Sequence, residues 1–262
     1  MNDSLRTSAS GMMAQQRMID VIANNLANVN TTGFKRSRVS FEDVLYETLQ
    51  GERVVNYPGN QSAGPVQIGK GVRVAAVLRL DAQGAPENTQ RPLDLAIEGD
   101  GFFQVQRPDG STAYTRDGSF TISDGGQLVT SDGYLVLPGI AIPRDATGVS
   151  IAPTGVVSVT TAGAQGAAEV GRIELARFLN PNGLEAIGEN QLQATAASGD
   201  PMVGAPDEES FGRLLQGALE ASNVEVVQEM TDMIAAQRAY EINAKAVSAG
   251  EQMMQATNDL IR

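Results

Sequence analysis

Three carboxylates, Asp94, Glu98 and Asp100, crowd one short stretch of the chain. Glycoside hydrolysis requires a pair of carboxylates facing each other across the scissile bond, so these are the first candidates for chemistry. The run Leu93-Asp94-Leu95-Ala96-Ile97-Glu98 alternates so that Leu93, Leu95 and Ile97 share one face of a strand. Asp94 and Glu98 are then expected on the solvent face and Asp100 in a turn, which is a structural reading. Gly99-Asp100-Gly101 lacks the third glycine and following helix of a dinucleotide loop and reads as a hairpin turn. Asp124-Gly125-Gly126 and Asp132-Gly133 look like fragments of a calcium loop, without its twelve-residue ligand spacing or terminal bidentate glutamate. The chain has no histidine and no cysteine. That removes the commonest zinc sites, the Ser-His-Asp and Cys-His arrangements, and any disulfide. An oxygen-ligand cation site remains possible. No enzyme is expected, and no catalytic, cofactor-binding or metal residue is assigned.

Composition narrows the partners. A net charge of −12 over 262 residues argues against nucleic acid, which wants a basic face. Lys35, Arg36 and Arg38 form a small basic cluster in this acidic chain, readable as a solvated turn. No run of apolar residues reaches the length of a membrane span. MNDSLRTSAS lacks the basic-then-apolar pattern of a cleaved signal. The expectation is no membrane insertion, with a location in the cytoplasm or an exit that needs no such signal.

The elements that would position any site fall into three blocks. Ser222 to Arg262 contains no proline and one glycine. Val226, Met233, Tyr240, Val247, Met254 and Ile261 recur every seven residues, with Met230, Gln237, Ala244, Glu251 and Asn258 interleaved. That spacing forms one stripe wanting a partner helix. Ser222 and Glu225 fit a capping box that would start the helix. At the other end Leu5, Met12, Ile19 and Leu26, with Ile22 beside them, mark a second helix over roughly Asp3 to Val29, closed by Gly33.

Between the helices all 11 prolines fall from Pro58 to Pro206. Residues 52–69 read as a loop. Val72 to Leu78 reads as a buried strand. Four Asp-Gly pairs at 109, 117, 124 and 132 point to a meander of short strands joined by tight turns. The predicted fold is α+β: long N- and C-terminal helices that pair as a coiled coil, with an inserted, mainly antiparallel β domain. The predicted segments are an axial helix over 1–31, a connecting region over 32–79, a β domain over 80–184, a returning connection over 185–221 and a second axial helix over 222–262.

The run Ala23-Asn24-Asn25-Leu26-Ala27-Asn28-Val29-Asn30-Thr31-Thr32-Gly33-Phe34-Lys35 resembles the N-terminal signature of the bacterial flagellar rod and hook family. The likeness continues in Pro92-Leu93-Asp94, Gly101-Phe102-Phe103, Tyr114-Thr115-Arg116-Asp117-Gly118 and Ser198-Gly199-Asp200-Pro201. It ends in Gly217-Ala218-Leu219-Glu220-Ala221-Ser222-Asn223-Val224 and Gln237-Arg238-Ala239-Tyr240-Glu241, and within the family it is most like the distal rod branch. One departure is Gln191-Leu192-Gln193-Ala194, where the family pattern leads to Leu-Tyr-x-Glu.

The resemblance implies a helical homo-oligomer, a tube whose subunits pair their terminal helices inside and carry the β domain outside. It implies a drive shaft transmitting torque across the periplasm. The implied partners are the proximal rod, hook and ring proteins and the flagellar type III export apparatus, which uses no cleaved signal. On this reading Leu5, Met12, Ile19, Ile22, Leu26, Val226, Met230, Met233, Tyr240, Val247, Met254 and Ile261 form the assembly interface. Asn24, Asn25, Leu26, Ala27, Asn28, Gly33, Phe34 and Lys35 carry the family motif. A hook or proximal rod subunit, a secreted tube or adhesin subunit, and a glycan-cleaving enzyme are the alternatives.

Overall fold

A computed structural model describes residues 2–50, 66–161, 166–208 and 210–260. The fold is α+β, with a helix toward each end and a mainly antiparallel β region between them. Helix α1 spans Asn2–Ala27 and helix α2 spans Val226–Leu260. Both segments are free of proline and rich in alanine, glutamine and methionine, which favour the helix. At ~1.5 Å per residue they measure roughly 39 and 52 Å. The chain divides into two compact units. One contains 1–26, 37–78 and 225–262; the other contains 27–36 and 79–224.

In the first unit the helices are accompanied by two ribbons. Ser37–Asp43 pairs with Val72–Arg79, and Tyr46–Gln50 pairs with Val66–Gly69. The predicted loop over 52–69 is therefore a strand at Val66–Gly69, and its remainder lies outside the described residues. The predicted strand from Val72 forms, but Val77 is 53% exposed and Leu78 38%, so it is not buried. A two-stranded ribbon has no second layer to cover it.

The second unit holds the core. Its largest sheet runs in the order Glu185–Gly188, Gln191–Gln193, Thr112–Thr115, Phe102–Gln106, Leu135–Val136, Leu128–Thr130, Phe120–Ile122. Leu175–Arg177 also pairs with Phe102–Gln106, and Met202–Gly204 pairs with Leu175–Arg177. A second sheet contains Ala146–Ile151, Val156–Thr161 and Ala167–Arg172. Strand Phe102–Gln106 is buried on both faces. Phe103 packs edge-on against Phe120 at 5.0 Å within a core that includes Leu95, Ile97, Leu128 and Leu175. On the opposite face Phe102 joins Tyr114, Phe178 and Leu184. Strands from 185–221 complete this same unit.

Three of the four Asp-Gly pairs lie in hairpin turns. Gly110 and Gly133 have φ of +84 and +89, whereas in the turn of Asp124-Gly125 the left-handed residue is the next glycine, Gly126, at +81. Asp117-Gly118 does not, because Thr112–Thr115 and Phe120–Ile122 are not neighbours in the sheet. Gly118 serves close approach instead: a Cβ there would fall on the Leu95 carbonyl oxygen and 3.2 Å from the Phe103 ring.

Asp94 departs from expectation. It is only 1% exposed, because both faces of the following strand Leu95–Glu98 are covered. Its backbone is locked by the Gly217 N–H donating to its carbonyl at 2.8 Å and by a bridge to Ser119. Arg91 lies 3.5 Å from its carboxylate. Glu98 is on the surface as predicted, paired with Arg213 at 2.7 Å, and this partner holds its carboxyl below the usual range. Asp100 sits in an exposed turn 3.7 Å from Arg177.

Candidate assembly site

The motif at the end of α1 divides its residues between two jobs. Asn25, 1% exposed, clamps the backbone of Ser37: its Nδ2 donates to the Ser37 carbonyl at 2.8 Å and its Oδ1 accepts the Ser37 N–H at 2.9 Å. The same Nδ2 donates to Oε2 of Glu229 on α2 at 3.1 Å, and Glu229 is fully buried. Asn28 then turns the chain, its Oδ1 accepting the Thr31 hydroxyl at 3.1 Å. Asn24 and Ala27 are exposed, Leu26 and Phe34 half-buried.

Gly33 and Lys35 dock that turn into the β unit. Gly33 has φ +69, and its N–H donates to the Glu220 carbonyl at 2.8 Å. A Cβ on Gly33 would lie 2.9 Å from backbone atoms of Arg116 and Asp117. Lys35 Nζ donates to Oε1 of Glu220 at 2.5 Å and to the Ala82 carbonyl at 2.8 Å. Arg116 approaches the other Glu220 oxygen at 3.5 Å, and its guanidinium lies 5.1 Å from the Phe102 ring centre. The Gly84 N–H adds a third donor to Glu220. Burial pulls the Lys35 amine below the ordinary lysine value, opposed by its hydrogen bond to Glu220. Burial likewise pulls Arg116 down, opposed by Glu220. Lys35 is thus no member of a solvated turn.

Asn223 closes the same assembly. Its Oδ1 accepts the Arg36 N–H at 2.7 Å while its Nδ2 donates to the carbonyls of Leu80 and Ala82. This explains why α2 begins at Val226 rather than Ser222. Asn223 and Val224 are held in the β unit, and Ser222 Oγ accepts the Val224 N–H, a local turn rather than a cap.

The two helices meet along their length. Leu5 lies against Gly250, Gly11 against Asn243, and Asn25 against Glu229. Rising numbers on α1 meet falling numbers on α2, so the helices run antiparallel. Glu229, Asn243 and Gly250 of α2 face α1, and buried Ala236 falls at the same seven-residue spacing, a repeat of small and polar side chains. Small residues let backbones approach, as Gly250 does: a Cβ there would stand 2.7 Å from Leu5.

The predicted apolar stripe is only partly on this seam. Ile22 is buried; Leu5, Met12, Ile19, Leu26, Met233, Val247 and Met254 are half-buried. Val226 is 39% exposed, Met230 52% and Tyr240 39%. Ile261 lies outside the described residues. Val227 and Ile234, not part of the predicted stripe, are exposed beside Met230. A hydrophobicity pattern overlooks Glu229, Ala236 and Gly250; their own heptad spacing was the available signal. Glu220 and Arg116 were also missed, although both stand in segments that carry the family likeness.

Comparison with known proteins agrees with this architecture. Family models match at three places: residues 5–35 to the flagella basal body rod protein model, 96–159 to the flagellar hook protein FlgE/F/G D1 domain, and 215–260 to the flagellar basal body rod FlgEFG protein C-terminal region. The flagellar basal-body rod protein FlgG of Caulobacter vibrioides is 51% identical over 98% of each chain. That of Borreliella burgdorferi is 47% identical over 99% of this chain and 98% of its own. The rod protein FlgF of Caulobacter vibrioides is 38% identical over 94% of this chain and 92% of its own. The chain belongs to the flagellar basal-body rod protein family. Within it, the likeness to the FlgG members exceeds the likeness to that FlgF, which fits the distal rod branch.

Proposed function

We propose that the chain is the distal rod subunit, self-assembling helically into a rigid tube that transmits torque from motor to hook. The observation that carries this is the apolar surface left on α2. Its small, polar seam is turned to α1, while Val226, Val227, Met230, Ile234 and Tyr240 remain in water. A contiguous apolar strip of this kind marks a protein interface. It has no counterpart patch of the same character in the described part of α1, where Met13 is the one strongly exposed large apolar side chain. Contacts between unlike surfaces do not close on themselves and generate open helical assemblies.

In the tube, α1 and α2 tighten into a coiled coil, and the predicted interface residues fill the contacts between copies. The proximal rod, hook and ring proteins are the neighbours at its ends and sides. The subunit reaches its place across the periplasm through the flagellar type III apparatus. Electron microscopy of the purified chain tests this. Straight tubes of uniform diameter are expected; a chain that stays monomeric at millimolar concentration and at every ionic strength would contradict it.

A further inference from the structure

Three tight turns of the β unit end against one another. The first, 115–119, is folded by Asp117: its N–H donates to Thr115 Oγ1 and its Oδ1 accepts the Ser119 N–H, both at 3.0 Å. The second, 130–134, is closed by the Tyr134 N–H donating to Thr130 Oγ1 at 3.2 Å. The third joins Glu185–Gly188 to Gln191–Gln193 through Glu189 and Asn190, both left-handed at φ +54 and +57. Thr115, Asp117, Ser131, Asp132, Glu189 and Gln191 line a cavity of about 10 Å³ between the turns. That is the room taken by one water or one monatomic ion.

Gln191 is what calls for an occupant. It is 3% exposed, and neither its Oε1 nor its Nε2 has a hydrogen-bond partner. In proteins the large majority of buried side-chain polar atoms have a hydrogen-bond partner. The surrounding side chains offer oxygen and no sulfur or imidazole. They include three carboxylates, each delivered by a different turn, together with hydroxyls. Among the described residues no three acidic side chains converge closely enough to hold an ion alone. The amide oxygen and the hydroxyls must therefore complete any ligand set.

We propose that this cavity binds a divalent cation of the calcium type, with Gln191 Oε1 and the Asp117 and Glu189 carboxylates among its ligands and water filling the rest. A hard cation of this size takes six to eight oxygens in flexible geometry, side-chain amides and water included. With so few charged ligands the affinity belongs in the weak class, about 10⁻⁴–10⁻³ M. Bound there, the ion ties the first turn to the third. The ligands come from two turns far apart in the chain, so the twelve-residue loop spacing is not needed.

Terbium(III) luminescence on the full-length protein tests this. The chain has no tryptophan, and the Tyr134 hydroxyl donates to Glu189 Oε2 at 2.8 Å, so a lanthanide at this site sits beside a tyrosine sensitiser. Excitation of tyrosine should give saturable terbium emission, displaced by calcium. Glu189→Gln should abolish it, and Gln191→Leu, which removes both unpartnered atoms, should weaken it at least tenfold. Millimolar calcium should raise the melting temperature of the parent protein and leave that of both variants unchanged. No saturable emission, or emission and melting shifts that persist in both variants, would overturn the proposal. The first result would give the cavity to water and the second would place the ion elsewhere on the acidic surface.

Discussion

Lys35 and Glu220, 185 positions apart in the chain, form a buried ion pair in which Nζ stands 2.5 Å from Oε1 and the side chains are 5% and 1% exposed. This contact binds the turn after α1 to the strand Ala218–Glu220. Breaking a buried pair by removing one partner costs about 3–5 kcal/mol, because the other charge stays behind. Lys35→Met leaves Glu220 with Arg116 at 3.5 Å and the Gly84 N–H. We expect a loss in that range in denaturant unfolding followed by strand circular dichroism, with part of it recovered in the Lys35→Met, Glu220→Gln double variant. A loss below ~1 kcal/mol, the value of an exposed pair, would show that the contact is not formed in solution.

The lowered value of the Lys35 amine has a direction in pH. Its ordinary value is 10.5, and burial holds it lower in the folded chain. Between the two values the unfolded chain binds the extra proton, so stability rises with pH there. Below the folded value both states are protonated and the contribution is constant. The difference in unfolding free energy between the parent and Lys35→Met should therefore grow as pH climbs toward 10.5. A flat or falling difference would mean that the pairing with Glu220 outweighs burial.

Gly33 and Gly110 separate backbone strain from collision. Both have positive φ, but an added Cβ on Gly110 meets open space while on Gly33 it meets backbone atoms at 2.9 Å. Gly110→Ala should cost about 1–2 kcal/mol, the ordinary penalty of the left-handed region for a side chain. Gly33→Ala should cost more, since neither the Arg116 nor the Asp117 backbone can move aside cheaply. Equal melting temperatures for the two variants would refute the close approach.

Asn25 bridges α1, Ser37 and Glu229. Asn25→Ala strands the Ser37 N–H and carbonyl together, at about 1–3 kcal/mol for each buried group left unsatisfied. The effect should be local, appearing as faster hydrogen exchange at Ser37 and in the first turns of α2. Unchanged exchange at these amides would count against the clamp.

How much was legible in the sequence depended on the range of the interactions involved. Helix α1 was placed to within two residues, and three of four Asp-Gly turns were correct, because periodicity and turn chemistry are local. The start of α2 was misplaced by four residues because Asn223 is pulled toward Leu80 and Ala82, more than 140 positions upstream. Asp94 looks exposed because alternation assumes that one face of a strand is wet, and here Leu95, Ala96 and Ile97 are all buried, so both faces are covered. Lys35 looked solvated because its partner is 185 residues away. In α2 the contact with α1 uses Glu229, Asn243 and Gly250, which a count of apolar residues passes over.

The exposed stripe of α2 is the surface we propose holds copies of the chain together. Met230 isolates it, since at 52% exposure a carboxylate there should leave the single subunit intact. Surface substitutions away from special contacts usually stay within about 0.5 kcal/mol. In an assembled tube the same charge would be buried in every subunit, at several kcal/mol each. Sedimentation and electron microscopy of Met230→Asp beside the parent protein decide the matter: tubes are expected from the parent and soluble subunits with an unchanged strand spectrum from the variant, whereas normal tubes from Met230→Asp would show that this stripe is not the contact between copies.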